Sequence, residues 1–592
     1  MERGSLRESG FRVTSKNETG ILGIMTKRSV AQYIRSKLER PENVLMAVMG
    51  VVMSVAILGP LLVILLKSFE VQKGLFASVY SLQNYVQFAS PRILKGIANS
   101  FVIAGGSAFL AGLIGVTLAW ITARTDMPFR SGLQALNIIP FFISPLVGGI
   151  AWSLLASPKM GMLNVALMGL FGLENAPLNI YSVPGIIWVS ALFHAPFVYL
   201  FCIGPFRQMD PALEEAARVS GSNWVMTTLR ITLMLASPAI LSSLILAFVL
   251  SIEDLGSILV LGYPYGIQSI STLIFEGIDQ YPPNHNLGAA LGILLMSITG
   301  FCIVIQRRIM ASRSFATVTG RGYHPPKVNL GWGRYLALGI NLVYLSLAVF
   351  LPIATLLLVS FSSAWLGYID LSQLTTKYYK YIFSTSPLAI RGIRNSFILA
   401  TSAATIAIAI ATVIAYAIHR TRSKLRGWLD MITTIPIAVS GLVMAVGLLV
   451  ALIRTPVYST LWILLIAYVI RFFTYGQRSI SGVILSLSAD LEESSRVSGG
   501  GWLTTIRRIL LPLVWPGFVG GWLLLFITFM REVSMSLLLS RGGTETLSVA
   551  LYGLMIYSPI GAMAAFTMVQ VALLFGAAFI FLRLTGSEGI RV

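Results

Sequence analysis

Long apolar runs alternate with short polar interruptions along this chain, and the runs set the architecture. A helix needs about 20 apolar residues to cross a bilayer core. Runs of that length fall at 44–66, 100–122, 133–155, 184–206, 237–262 and 287–306. A second series falls at 336–360, 396–418, 431–453, 460–477, 513–540 and 561–583. In lipid each backbone polar group needs an internal partner, which helices supply. The pattern predicts an all-α integral membrane protein with about twelve transmembrane helices. Between the two series lies QRRIMASRSFATVTGRGYHPPKVNLGWGRY, from Gln306 to Tyr335, with six Lys/Arg and no acid. It predicts a cytoplasmic linker over 307–335, joining a first half (44–306) to a second (336–583). A basic tail, 1–43, precedes them and a short one, 584–592, follows.

Composition agrees with that pattern. The chain is 56% hydrophobic and 11% charged, with a mean hydropathy of +0.80; soluble domains carry about 25% charged residues. A net charge of +20 raises the question of nucleic acid. The basic residues instead collect in the polar segments that flank the spans, as the positive-inside rule expects, and no RNA-binding or zinc-finger pattern accompanies them. The tail with its nine Lys/Arg, the linker and HRTRSKLRG from His419 to Gly427 are the strongly basic segments. They place the N-terminus in the cytoplasm, although the loop 67–98 also carries lysines. The first span starts too far into the chain to be a signal core. Met25, followed by TKRSVAQYIRSKLERPENV, is an alternative start. Cys202 and Cys302 sit in apolar spans, and His194, His285, His324 and His419 are scattered without ligand spacing. No metal site, cofactor motif, phosphate loop or catalytic constellation is legible.

The two halves repeat each other. NSFVIAGG from Asn99 matches NSFILATS from Asn395, RTDMPFRSGL from Arg124 matches RTRSKLRGWL from Arg420, and Pro140 matches Pro436, all at an offset of 296. LEEAARVSGSNW from Leu213 matches LEESSRVSGGGW from Leu491 at eight of twelve positions, at an offset of 278. The first half therefore holds 18 extra residues, assigned to the outer segment 156–183 as a lid, a docking element or a plain loop insertion. Six spans per half give both halves the same orientation, so the expected relation is a parallel repeat about the membrane normal, with a shared pathway between the halves.

The repeated segment reads as an elbow. Ala, Glu, Leu and Arg favour helix. Glu214 and Arg218 are spaced i, i+4 to pair on one face, and Gly221 can take the left-handed conformation that ends a helix. Glu492, Arg496 and Gly499 repeat this. An ordinary amphipathic interfacial helix is the bland alternative. However, the charges and glycines are kept between the copies while neighbouring positions drift.

These residues carry a resemblance. EAARVSG from Glu215, with Ile231 and Leu233 in register, resembles the EAA loop of ABC importer permeases, Met234 standing where the pattern has proline. The second copy has Glu493, Gly499, Ile509, Leu511 and Pro512 in register, with Ser494 and Ser495 in place of the alanines. The resemblance implies the type I ABC importer permease fold in two pseudo-symmetric six-helix halves. It makes the loops, 209–236 and 487–514, coupling helices, with Glu214, Glu215, Arg218, Gly221, Glu492, Glu493, Arg496 and Gly499 as the ATPase-coupling residues. It also implies two copies of a separate ATP-binding subunit, an extracytoplasmic substrate-binding protein, and residence in the bacterial inner membrane as a multi-pass, non-catalytic subunit.

Ionisable residues within spans cost about 2.5–3.5 kcal/mol each on insertion scales and mark function. The fifth span holds Glu253 and Asp254; the equivalent segment of the eleventh holds Arg531 and Glu532. These four are the translocation-path candidates. Two carboxylates facing across the axis would favour a cation or a metal with hard oxygen ligands; an internal ion-pair network is the other reading. Arg471 reads as snorkelling or paired. Fusion of both halves in one chain resembles the ferric-iron permeases, as does the Arg-Glu pair followed by LLLSRGGTETLSVALY. Iron(III) is the expected cargo, with thiamine or 2-aminoethylphosphonate as alternatives. An ion-gradient-driven transporter and a membrane scaffold are the rivals from other classes.

Overall fold

The computed structural model describes residues 41–72, 78–312, 328–368, 371–421, 423, 425–488, 490–499 and 502–585. Met25, most of the basic tail, the middle of the linker and residues 586–592 lie outside these. Among the described residues, nine helices are long and apolar enough to cross a membrane, and two sharply bent helix pairs bring the number to eleven. The remaining expected span, 460–477, is the 26-residue helix Leu461–Ser486. Arg471, Gln477 and Arg478 keep it out of that apolar set.

Hydropathy finds the spans but not their breaks. The third and ninth spans, expected as single runs at 133–155 and 431–453, are bent by 96° and 104°. Pro140 and Pro436 weaken the helical ladder just before each bend. Ile143 and Val439 are extended. Ser144 and Ser440 then cap the restarted helices, accepting from the N–H groups of Leu146 (3.2 Å) and Leu442 (3.3 Å). The fifth and eleventh spans also stop short of prediction. They end at Glu253 and Met530, and the short helices Gly256–Leu261 and Ser534–Leu539 follow.

Small residues bring the central helices together. The second span, Pro91–Arg124, buries Ala104, Ala108, Ala111 and Gly115 and packs mainly on the fourth, Val183–Gln208, while Gly112 lies against Leu244 of the fifth. A Cβ at Gly115 would lie 2.7 Å from the Ala195 carbonyl oxygen. The eighth span, Pro387–Arg420, buries Ala400, Ala403, Ala404, Ala407 and Ala411 in the same way, largely against the tenth. Such stripes let backbones approach closely where lipid gives no hydrophobic incentive to associate. The first span of each half reaches over to the other half. Gly447 lies against the Pro60 carbonyl, and Tyr344 Oη donates to the Leu192 carbonyl at 3.2 Å.

At the face opposite the elbows, the repeated Asn-Ser pair has a definite task. Asn99 Nδ2 donates to the Gln268 carbonyl (3.0 Å) and Ser100 Oγ accepts from the Ile270 N–H (2.7 Å). Asn395 Nδ2 donates to the carbonyls of Gly543 and Glu545 (3.0 Å each), and Ser396 Oγ accepts from the Leu547 N–H (2.7 Å). Both pairs fix the start of a short helix, Ile270–Asp279 or Leu547–Tyr557, to a long span. Burial pushes the Glu545 carboxyl up, but hydrogen bonds from Arg391 (3.0 and 3.1 Å) prevail and hold it below its ordinary value.

The extra segment of the first half is a packed structure. It forms the helix Met162–Phe171, pinned by Asn164, whose side chain bonds the Ser157 carbonyl and both backbone groups of Leu178 at 2.8–3.0 Å. Gly367 of the second half sits against Met160 and Val165, so the segment bridges the halves.

Candidate functional site

The two elbows fold as their sequences dictate. Asp210 Oδ1 accepts from the Ala212 N–H (2.9 Å) and Pro211 opens the helix Pro211–Val219. Gly221 has φ +86° and the Ser222 N–H donates to the Ala217 carbonyl (3.0 Å), which closes the helix in a Schellman turn. Asn223 Oδ1 accepts from the Met226 N–H at 2.8 Å and starts the next helix. In the copy, the helix is Asp490–Val497, Ser488 Oγ accepts from the Asp490 N–H (3.2 Å), and Gly499 has φ +81°. A Cβ at either glycine meets nothing, so substitution strains the backbone alone. Gly221→Val and Gly499→Val are each expected to destabilise their elbow by about 1–2 kcal/mol. Faster proteolysis at the turn in detergent-extracted protein is the measurement, and wild-type cleavage rates would contradict it.

The glutamates of each elbow divide the work. Glu215 and Glu493 are exposed, whereas Glu214 and Glu492 are 7% exposed. The i, i+4 partner expected for Glu214, Arg218, has its side chain outside the described residues. Glu214 turns inward and pairs with Arg124 at 2.5 Å, and its other oxygen accepts from Thr232 Oγ1 at 2.7 Å. Glu492 pairs with Arg420 at 3.3 Å, and Arg420 also donates to the carbonyls of Ile484 (2.8 Å) and Leu487 (2.7 Å). Arg124 and Arg420 end the second and eighth spans. The repeat had placed both in register without assigning them a function. The side chain of Arg496 likewise lies outside the described residues. Val219 and Val497 are 89% and 90% exposed on the same turn of each elbow.

The translocation-path candidates come together between the halves. A cavity of about 340 Å³ is lined by Glu253, Asp254, Arg531 and Glu532, together with Arg471 and His194. Asp254 accepts from the Gly256 N–H (2.9 Å) and from the Ser257 hydroxyl. Glu532 accepts from the N–H groups of Met535 (2.8 Å) and Ser536 (2.9 Å) and from the Ser536 hydroxyl (2.9 Å). Both acids thus hold the short helix that follows each break, and they do not face one another as a free pair. Glu253 approaches Arg471 of the other half at 3.9 Å. Arg471 does not snorkel; it is buried and donates to the Pro436 carbonyl at 2.7 Å. The Arg531 guanidinium lies 4.6 Å from the centre of the Phe141 ring, across the interface between halves. His194 Nδ1 is 3.0 Å from Ser251 Oγ. Among the described residues, no group of three or more His, Cys, Asp or Glu could hold a metal ion.

Comparison with known proteins adds the family. The family described as binding-protein-dependent transport system inner membrane component matches residues 111–315 and 420–585, once in each half. The ferric transport system permease protein FbpB of Actinobacillus pleuropneumoniae is 25% identical over 77% of this chain and 68% of its own length. An Fe(3+)-transport system permease protein of Haemophilus influenzae is 24% identical over 83% of this chain and 89% of its own. A molybdate/tungstate transport system permease protein of Thermococcus kodakarensis is 29% identical over 38% of this chain and 81% of its own. A bacterial ABC transporter involved in alginate import, solved by crystallography, aligns at 23% identity over 48% of this chain and 99% of its own, with a TM-score of 0.39. With apolar spans throughout and a matching region in each half, this multi-pass chain belongs to the binding-protein-dependent transport system inner membrane component family.

Proposed function

We propose that this chain supplies both halves of the membrane passage of an ABC importer for iron(III), gripped at its two elbows by two copies of a separate ATP-binding subunit. One observation carries the docking role. Each half presents an exposed glutamate and an exposed valine on a short helix, and an arginine–glutamate pair, buried in the first half and largely buried in the second, ties that helix to a long span. An interfacial helix would turn its apolar residues toward its own bundle or the lipid and needs no such tie. The elbow face is cytoplasmic by loop charge, and an extracytoplasmic binding protein delivers cargo to the opposite face. The cavity between the halves is the passage, with Glu253, Asp254, Arg531 and Glu532 on its wall. Iron is favoured because the relatives that span both halves are named for ferric transport, while the molybdate/tungstate relative matches about one half.

Reconstitution tests this reading. The chain should copurify with two ATP-binding subunits, and vesicles holding the complex and its binding protein should take up radiolabelled iron(III) only with ATP. Uptake driven by an ion gradient without ATP would instead assign a secondary transporter.

A further inference from the structure

Charge in the central cavity is not balanced symmetrically. Its two arginines both come from the second half, and the positions equivalent to them in the first half are Phe193 and Glu253. Asp254 and Glu532 are held by backbone N–H groups and hydroxyls of the helices they cap, which satisfies much of their capacity as acceptors. Glu253 offsets Arg471, at 3.9 Å, and keeps one buried oxygen, Oε1, without a hydrogen-bond partner. Arg531 enters no ion pair among the described residues. Its Nη1 is buried without a hydrogen-bond partner, and the Phe141 ring beneath it offers a π face but no acceptor oxygen. Nε of Arg471 is likewise buried without a partner. Buried guanidinium donors left open are costly unless an acceptor arrives, and planar forked donors suit the oxygens of carboxylates, phosphates and similar anions.

We propose that the cavity takes its cargo as an oxyanion, or as a metal held within oxyanion ligands, recognised by Arg531 and Arg471, and not as a bare cation. This rests on the importer reading above and revises the cationic path that the two carboxylates suggested. Among the described residues no three-ligand cluster stands ready for a bare metal ion.

The test uses the whole importer in vesicles, with two probes. Radiolabelled iron(III) is given as its radiolabelled citrate complex, and radiolabelled orthophosphate is given alone. Citrate is expected to enter with iron in a fixed ratio. Arg531→Gln should lower uptake by at least about tenfold and Arg531→Lys by no more than about threefold, as for loss or retention of a charged hydrogen bond. Glu253→Gln separates the two charge types: it frees Arg471, so an anion path lowers its apparent KM about twofold or more, whereas a cation path loses about tenfold or more. Extraction of each variant with its ATP-binding subunits at wild-type yield checks the fold. Iron entering without citrate, together with an inactive Glu253→Gln, overturns the proposal and leaves the iron reading intact. Orthophosphate entering alone with the same dependence on Arg531, and no iron entering, supports the proposal and overturns the iron reading.

Discussion

Reversing both exposed elbow glutamates, Glu215→Arg with Glu493→Arg, is expected to reduce ATP-driven uptake by at least about a hundredfold while the chain still folds. The expected effect is large because, on the docking proposed above, a basic partner surface facing each glutamate would meet a like charge at both elbows, each clash costing several kcal/mol. The fold survives because both side chains point away from the bundle, where substitutions typically change stability by within about 0.5 kcal/mol. Val219 and Val497, exposed beside them in both copies, supply an apolar centre that a partner would cover. On the docking proposed above, each single reversal should already impair uptake strongly. The measurement is uptake and copurification of the ATP-binding subunit. Wild-type values for the double variant would remove the elbows from the mechanism.

The second large effect is internal. Arg124→Met leaves Glu214 nearly buried, with the Thr232 hydroxyl as its remaining hydrogen bond among the described residues. Breaking one side of such a pair costs about 3–5 kcal/mol, whereas replacing both sides with apolar groups is close to neutral. Thermal unfolding in detergent should therefore fall sharply for Arg124→Met and recover in Arg124→Met with Glu214→Leu. Arg420→Met should cost less, because the second pair is longer, at 3.3 Å. A double variant as unstable as the single would mean that the pair does not hold the elbow.

How much of this was legible depends on distance along the chain. The spans, the twofold repeat and the elbow turn at Gly221 are local patterns, and the structure keeps them. The partner of Glu214 was not legible from spacing, because Arg124 lies 90 residues away while Arg218 lies at the helical spacing. The register of the two Arg-Thr repeats at an offset of 296 was the available signal. The breaks at Ser144, Ser440, Glu253 and Met530 were hidden for a different reason. Hydropathy averages over a window and is blind to a single extended residue such as Ile143. Asp254 and Glu532 were noticed for their charge, yet their work as helix caps depends on backbone N–H groups that only a broken helix exposes.

The 34-residue helix Pro91–Arg124 is grasped at both ends: Arg124 holds the elbow, and Asn99 and Ser100 hold the far short helix. From Asn99 to Arg124 an ideal helix rises about 37 Å, more than the roughly 30 Å hydrocarbon thickness. It is a stiff beam fixed to its load at each extremity, and Pro387–Arg420 is its twin. A tilt of about five degrees at one end swings the other by roughly 3 Å over that length. A movement imposed on one end of such a helix would be carried across the bilayer by leverage.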